Sequence, residues 1–377
     1  MSAADTALLP DGTVLVEQTP GVYRRGRVTI VGIETVTVQF AGAEEAACDR
    51  TCVWPANEAD CYVDDAAALF HLSDATVLEN MRIGLEKGQI YMWVGGILTA
   101  VNPMRPLANL YKEQMMERCR ETTASADAAP AHPFVQAELA LADLARRRQS
   151  ASFVVSGESG SGKTETAKHI LAYCLWRSGH RGPLSSTLLD VAPVIELFGS
   201  AATIHNANSS RIGRYLKLHC GVGRGEVNIL QAELQTFLLE RSRVVSVGAG
   251  ERGFHVFYGL LASPLAATIG LSALGAGPAS YGYLSAGLSR LDARDDAADF
   301  ARMVQHSFAL IGLSDGEVRS LANLLGSVLV LGNVTFEAGS ADDDDVGGAA
   351  AHGESPEANP NPNPNPNPNR IVAGDPR

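Results

Sequence analysis

Cysteine is sparse. The six in 377 residues, Cys48, Cys52, Cys61, Cys119, Cys174 and Cys220, are dispersed and form no dense disulfide framework. They read as reduced thiols of a cytosolic protein. Cys48, Cys52 and Cys61 make no CxxC pair and have no histidine nearby in sequence, which argues against a zinc cluster. No run of about 18 apolar residues occurs, so no membrane span is expected. The opening MSAADTALLP lacks the basic region and apolar core of a secretory leader. Basic residues are outnumbered and the net charge is −12, a balance that gives no sign of a nucleic-acid partner. Seven acidic residues against two arginines lie from Ala338 to Arg377, so the acidity is concentrated at that end.

What is present is the composition of a soluble globular chain, 46% hydrophobic and 19% charged. Three short strand patterns open it: Thr13–Val16, Arg27–Val31 and Thr35–Phe40. In the last, Val36, Val38 and Phe40 alternate with polar neighbours, the period of a half-buried strand. A small antiparallel barrel over residues 1–60 is the natural reading. A helix is expected from Ser73 to Lys87, with Leu78, Met81 and Leu85 on one face. Tyr91–Val101 reads as two buried strands around Gly95-Gly96, and His132–Arg148 as a helix with Val135, Leu139 and Ala142 on one side. Helices and strands then alternate to about Phe336, pointing to an α/β architecture. From 338 to 377 an acid run, Asp342–Asp345, is followed by five Asn-Pro dipeptides at 359–368. Proline lacks an amide donor and turns its predecessor away from helix, so this segment is expected to be a disordered tail.

The strongest signal is Gly157-Glu158-Ser159-Gly160-Ser161-Gly162-Lys163-Thr164, a full match to GxxxxGK(S/T). Ser152–Ser156 reads as the strand before it. Thr164–Trp176 reads as the helix after it, with Ala167, Ile170, Leu171, Cys174 and Leu175 at helical spacing. A triphosphate needs many donors at once. Glycines let backbone amides turn inward, the helix N-terminus adds partial positive charge, Lys163 supplies a full charge, and Thr164 offers a hydroxyl to Mg²⁺. Kinases, GTPases, transporters and cytoskeletal motors all use such a loop.

A second segment, Asn206-Ala207-Asn208-Ser209-Ser210-Arg211-Ile212-Gly213-Arg214, places amides, hydroxyls and a guanidinium together, a set suited to a γ-phosphate and its metal. Kinesins and myosins both carry an SSR switch I loop. Kinesins follow it with Ser-His, whereas Ile212-Gly213-Arg214 is similar to the NxNSSRFGK of myosins. Other stretches resemble the myosin motor domain in family order. They are Val63-Asp64-Asp65, Gln89–Pro103, Ile195–Ala201, Leu238–Val244, Gly250–Tyr258 and Leu331–Phe336.

The resemblance implies an α/β P-loop NTPase of the kinesin/myosin type, with a mixed central sheet flanked by helices. An SH3-like β-barrel would precede it (residues 1–60), a partial motor domain would fill 61–337, and the tail 338–377 would follow. It further implies ATP and Mg²⁺ as cofactors, an actin filament as partner and a cytoskeletal location. By analogy Gly157–Thr164 cradle the phosphates, Lys163 stabilises the β- and γ-phosphates, and Thr164 and Ser210 ligate Mg²⁺. Asn206 and Ser209 hold the γ-phosphate and the attacking water, and Arg211 is a clamp. Asn102, Pro103 and Arg105 match the start of the purine loop, whose tyrosine stands one residue away, at Tyr111. Ile212 replaces phenylalanine, Arg214 lysine, Ala202 lysine and Gly253 asparagine. The family's switch II, DIxGFE, is nowhere in the chain, nor is a light-chain-binding helix. In the family Arg211 pairs with the switch II glutamate, and the strand leading into switch II lies inside the central sheet. The expectation is therefore a nucleotide binder that hydrolyses poorly alone, with unpaired strand backbone. The alternative is a short nucleotide-binding module rather than the front of a motor.

Overall fold

The computed structural model describes residues 8–335, apart from 106, 108, 126–128, 180–190, 224, 276 and 293. The expected tail lies outside them. The described chain forms two compact units. The first holds the residues up to Gly179 together with Gly221–Asn228, and the second holds the rest.

The first unit opens with five antiparallel strands: β1 (Thr13–Thr19), β2 (Val22–Val31), β3 (Thr35–Phe40), β4 (Glu45–Asp49) and β5 (Val53–Pro55). Their order is β4-β3-β2-β1-β5. Gly21 and Gly42, both at positive φ, turn the chain between β1 and β2 and between β3 and β4. The alternation in β3 is realised, since Val36, Val38 and Phe40 are buried with Val14, Val16, Val28 and Val53. Pairing ends at β4 on one side and β5 on the other, so the ladders give an antiparallel sheet.

Helix α1 (Asp74–Glu86) starts at a capping box in which Ser73 and Thr76 satisfy each other's backbone amides. Replacing Ser73 by alanine is expected to cost about 1 kcal/mol of stability, read as a shift of the urea midpoint. The expected face is displaced. Leu78 is exposed, while Ala75, Thr76, Asn80, Ile83 and Gly84 are buried. The reason is polar and steric: Asn80 accepts from Val63 N–H (3.0 Å) and donates to its carbonyl (2.9 Å). At Gly84 a Cβ would stand 2.6 Å from the Tyr62 ring. Arg25 on β2 forks onto Glu79 of α1 (2.7 and 3.1 Å), tying sheet to helix.

Strands β6 (Tyr91–Val94) and β7 (Ile97–Ala100) form the expected hairpin, with Gly95 at φ 60°. Three helices follow: α2 (Glu113–Ser125), α3 (Pro133–Arg147) and α4 (Lys163–Arg177). On α3 the buried residues are Phe134, Val135, Ala137, Glu138 and Leu141, with Leu139 exposed against expectation. Glu138 decides that orientation. Its carboxylate accepts from Tyr173 Oη (2.9 Å) and Arg177 Nε (2.9 Å), both on α4.

The segment expected as a strand, Ser152–Ser156, pairs with no strand among the described residues, and Phe153 and Val154 are exposed. A mixed central sheet is likewise not formed among the described residues, where strands outside the five-stranded sheet pair only in twos. A ladder needs a neighbouring strand as well as suitable residues, and none pairs with Ser152–Ser156 among the described residues.

In the second unit α5 (Ala192–Gly199) runs into β8 (Ser200–Ala201), which pairs antiparallel with β9 (Ser209–Ser210). The long strands β10 (Gly213–Gly223) and β11 (Glu226–Phe237) pair with each other, their ends Gly221–Gly223 and Glu226–Asn228 belonging to the first unit. Short helices follow: α6 (Ser242–Val245), α7 (His255–Leu261), α8 (Pro264–Thr268), α9 (Gly282–Ser285) and α10 (Asp296–Arg302). A π turn, Met303–Phe308, continues α10, and α11 (Asp315–Leu331) completes the unit, capped by Ser314 and Glu317. The core joins Leu197, Phe254, Phe257, Leu260, Tyr281, Leu284, Phe300, Met303, Phe308 and Leu329. No described helix is long and apolar enough to cross a membrane.

Candidate functional site

The glycine-rich segment forms a tight loop entering α4. Gly157 (φ 151°), Gly160 (φ 83°) and Gly162 (φ 94°) adopt backbone angles that side chains disfavour. A Cβ on Gly157 would stand 2.6 Å from Ser161 Oγ. Gly162 is the N-cap of α4 and brings no capping side chain, so the first amides of a 15-residue helix are left for another acceptor. Lys163 Nζ donates to the carbonyls of Gly157 and Glu158, both at 2.6 Å. Burial pulls its pKa down while the Glu158 carboxylate opposes that. Thr164 follows as the second helical residue. Three glycines, a lysine, a hydroxyl and an uncapped helix start make a donor set that fits a polyphosphate with a divalent cation.

Asn102 reaches the same loop. Its Nδ2 donates to the Gly160 carbonyl (2.6 Å), and its Oδ1 accepts from Met104 N–H (3.0 Å). Pro103 is half-buried and Arg105 exposed. Tyr111 packs its ring flat on His169 of α4, with centroids 3.5 Å apart and planes 9° apart. Its hydroxyl lies 2.8 Å from Tyr91 Oη. Next to it His132 Nδ1 accepts from Phe134 N–H (3.1 Å), so Nε2 carries the proton and donates to the Leu110 carbonyl (3.1 Å). Burial drives the His132 pKa down to about 4. An unfolded histidine titrates near 6.5. The unfolded chain therefore binds a proton below about pH 6.5 that the native ring refuses until about pH 4. The contribution to stability is complete above that window and is lost as pH falls through it. An NMR titration should find the His132 ring neutral at about pH 5.5; a midpoint near 6.5 would contradict this burial.

The second segment lies in the other unit. The β8–β9 pair sets Ser200 opposite Ser210 and Ala201 opposite Ser209. Thr203 and Asn206 exchange backbone bonds across the turn between them, and Asn206 Oδ1 accepts from Asn208 N–H (2.9 Å). Ser209 is buried, while Ser210 is exposed and its Oγ donates to the Ile212 carbonyl (3.2 Å). Gly199 is needed for close approach, since a Cβ there would stand 2.5 Å from Ile212 Cγ2.

Arg211 donates through Nη2 to Ser209 Oγ (2.9 Å) and through Nη1 to Glu240 Oε2 (3.2 Å). Arg243 shares Glu240 (3.3 Å) and reaches Glu251 (2.8 Å), whose carboxyl it holds below the usual range. Thus Arg211 has a carboxylate partner, Glu240, within its own unit. Glu240 stands within Leu238–Val244, and its spacing of 29 residues from Arg211 carries no pairing signal in the sequence.

The profile described as Myosin head (motor domain) matches residues 63–355. The chain belongs to the myosin motor-domain family. Myosin-VIIa of Drosophila melanogaster is 37% identical over 287 residues, which is 73% of this chain and 12% of that protein. Myosin heavy chain 95F of the same organism is 32% identical over 346 residues, 84% of this chain and 27% of the relative. Unconventional myosin-Ia of Mus musculus is 34% identical over 275 residues, 72% of this chain and 26% of the relative. The chain thus spans roughly an eighth to a quarter of the length of these myosins.

Proposed function

We propose that this myosin-family chain binds ATP with Mg²⁺ at the Gly157–Thr164 loop and that, in a complete motor, the site serves hydrolysis coupled to movement on actin filaments. The observation that carries the reading is the uncapped N-terminus of α4, approached by glycines at positive φ and followed at once by Lys163. When bound, ATP-Mg²⁺ supplies the γ-phosphoryl group and a cation that offsets its charge.

The chain's own residues then divide the work. The loop amides and Lys163 hold the phosphates, with Lys163 exchanging the carbonyls of Gly157 and Glu158 for phosphate oxygens. Thr164 and Ser210 would be the hydroxyl ligands of Mg²⁺. Asn206 and Ser209 orient the γ-phosphate and a water, and Arg211 acts as the clamp. Asn102, Pro103, Arg105 and Tyr111 form the purine side, where the Asn102 bond to Gly160 links the base loop to the phosphate loop. The P-loop NTPase arrangement and the SH3-like barrel belong to this reading as the family's architecture, as does a cytoplasmic, cytoskeletal location.

A second reading, a nucleotide binder without productive turnover, is favoured by a specific observation. Arg211 is already engaged by Glu240 and by Ser209 Oγ, which leaves it less free to meet a transition state. Loss of one preorganised transition-state donor costs about 10²–10³ in rate. Titration with a fluorescent ATP analogue should therefore give saturable, Mg²⁺-dependent binding that ATP competes away. Turnover should be at least about 10²-fold below that of a longer product carrying DxxGFE. Absence of saturable binding would refute the nucleotide assignment. Equal turnover would refute the second reading and leave the first.

A further inference from the structure

Behind β8 lies a group of charged side chains that the nucleotide reading does not use. Arg252 donates its backbone N–H to the Ala202 carbonyl (3.1 Å), and Phe254 bridges to Ala201, so residues 252–254 back the strand that pairs with Ser209 and Ser210. The Arg252 side chain is 0% exposed. Its Cζ lies 3.6 Å from the Tyr258 ring centre, and its Nη2 donates to Asp296 Oδ2 at 2.8 Å.

The remaining polar atoms of this group reach no protein partner. They are Nε and Nη1 of Arg252, Nδ1 and Nε2 of the fully buried His255, Nε of Arg294 and Oδ1 of Asp296. Arg294 Nε and Asp296 Oδ1 face each other across 3.7 Å, beyond direct bonding. Six buried atoms from four neighbouring residues are therefore unserved by protein. Buried polar atoms are normally hydrogen-bonded to protein or ordered water, so six such atoms in one group call for a partner.

We propose that Arg252, His255, Arg294 and Asp296 enclose a buried hydration site, a small cluster of ordered water molecules behind β8. The chemistry favours water over an ion. Arg252 and Arg294 are already matched by Asp296 and by Asp299, which lies 3.0 Å from Arg294 Nη2. Guanidinium groups only donate, a carboxylate only accepts, and a neutral imidazole does one of each. Both kinds of need remain, and water meets both. An added anion would serve the donors alone and repel Asp296. Burial, then Arg294 and Arg252, depress the His255 pKa to about 3, so the ring keeps an accepting nitrogen at neutral pH. A buried water makes about three hydrogen bonds, so two waters suffice.

Oxygen-17 relaxation dispersion on the full chain tests this directly. Replacing His255 by leucine should remove one or two long-lived waters from the count; an unchanged count overturns the proposal. If that variant does not fold, a crystal of the unaltered chain grown with bromide decides. Density bonded to Arg252 Nη1 and Asp296 Oδ1 without anomalous signal supports water. A bromide peak there, or no density, overturns it.

Discussion

Replacing Lys163 by alanine should weaken binding of a fluorescent ATP analogue by about 10²-fold or more. The ammonium group holds two carbonyls at 2.6 Å in the loop, and the proposed role is to transfer those bonds to phosphate oxygens. A charge-assisted bond contributes about 1.5–3 kcal/mol, and every 1.4 kcal/mol is tenfold in affinity. Two such bonds set the expected scale. Lys163→Arg should recover part of the loss, because it restores charge but not the compact ammonium. Circular dichroism should match the parent chain, since the side chain sits at the start of a helix whose packing comes from Tyr173, Cys174 and Leu175. An unchanged dissociation constant would remove Lys163 from the site and, with it, the central argument for a phosphate loop.

Replacing Glu138 by alanine is expected to destabilise the first unit by about 3–5 kcal/mol, the usual result of removing one member of a buried ion pair. The Glu138 side chain is 8% exposed and Arg177 19%, so the guanidinium left behind would have little water to compensate it. Tyr173 loses its acceptor at the same time. Trp54, Trp93 and Trp176, the only three tryptophans, all lie in this unit, so urea unfolding followed by intrinsic fluorescence reports on it. Glu138→Gln keeps an acceptor for Tyr173 and should cost less. A loss under about 1 kcal/mol for the alanine variant would mean that the pair is solvated in solution.

The elements legible in the sequence were those fixed by local chemistry. The alternation of Val36, Val38 and Phe40, the Gly95-Gly96 turn and the glycines before Lys163 each act within a few residues, and each is realised. Which helical face is buried was harder to read. Leu78 and Leu139 are exposed, while Asn80 and Glu138 are buried. The polar pair is buried because Val63, Tyr173 and Arg177 supply partners from other elements, and periodicity cannot see those partners. The same limit applies at Arg211, where the residue could be singled out from the sequence but its carboxylate partner, Glu240, could not. The strand expected at Ser152–Ser156 has suitable residues, but a ladder needs a neighbour as well as a propensity.

The π turn at Met303–Phe308 bears on how the second unit tolerates change in chain length. Met303 and Phe308, five residues apart, are both buried in its core. In an α-helix, at about 100° per residue, that spacing would point them to different sides. The wider i→i+5 winding brings them to the same side. The turn therefore works as an inserted residue absorbed in place. Deleting one residue between them would leave Met303 and Phe308 four apart, about 40° on a regular α-helix, so both would still face the core. The turn, like the loop before Ser314, is therefore a place where the chain can lose one residue without turning its core side chains outward.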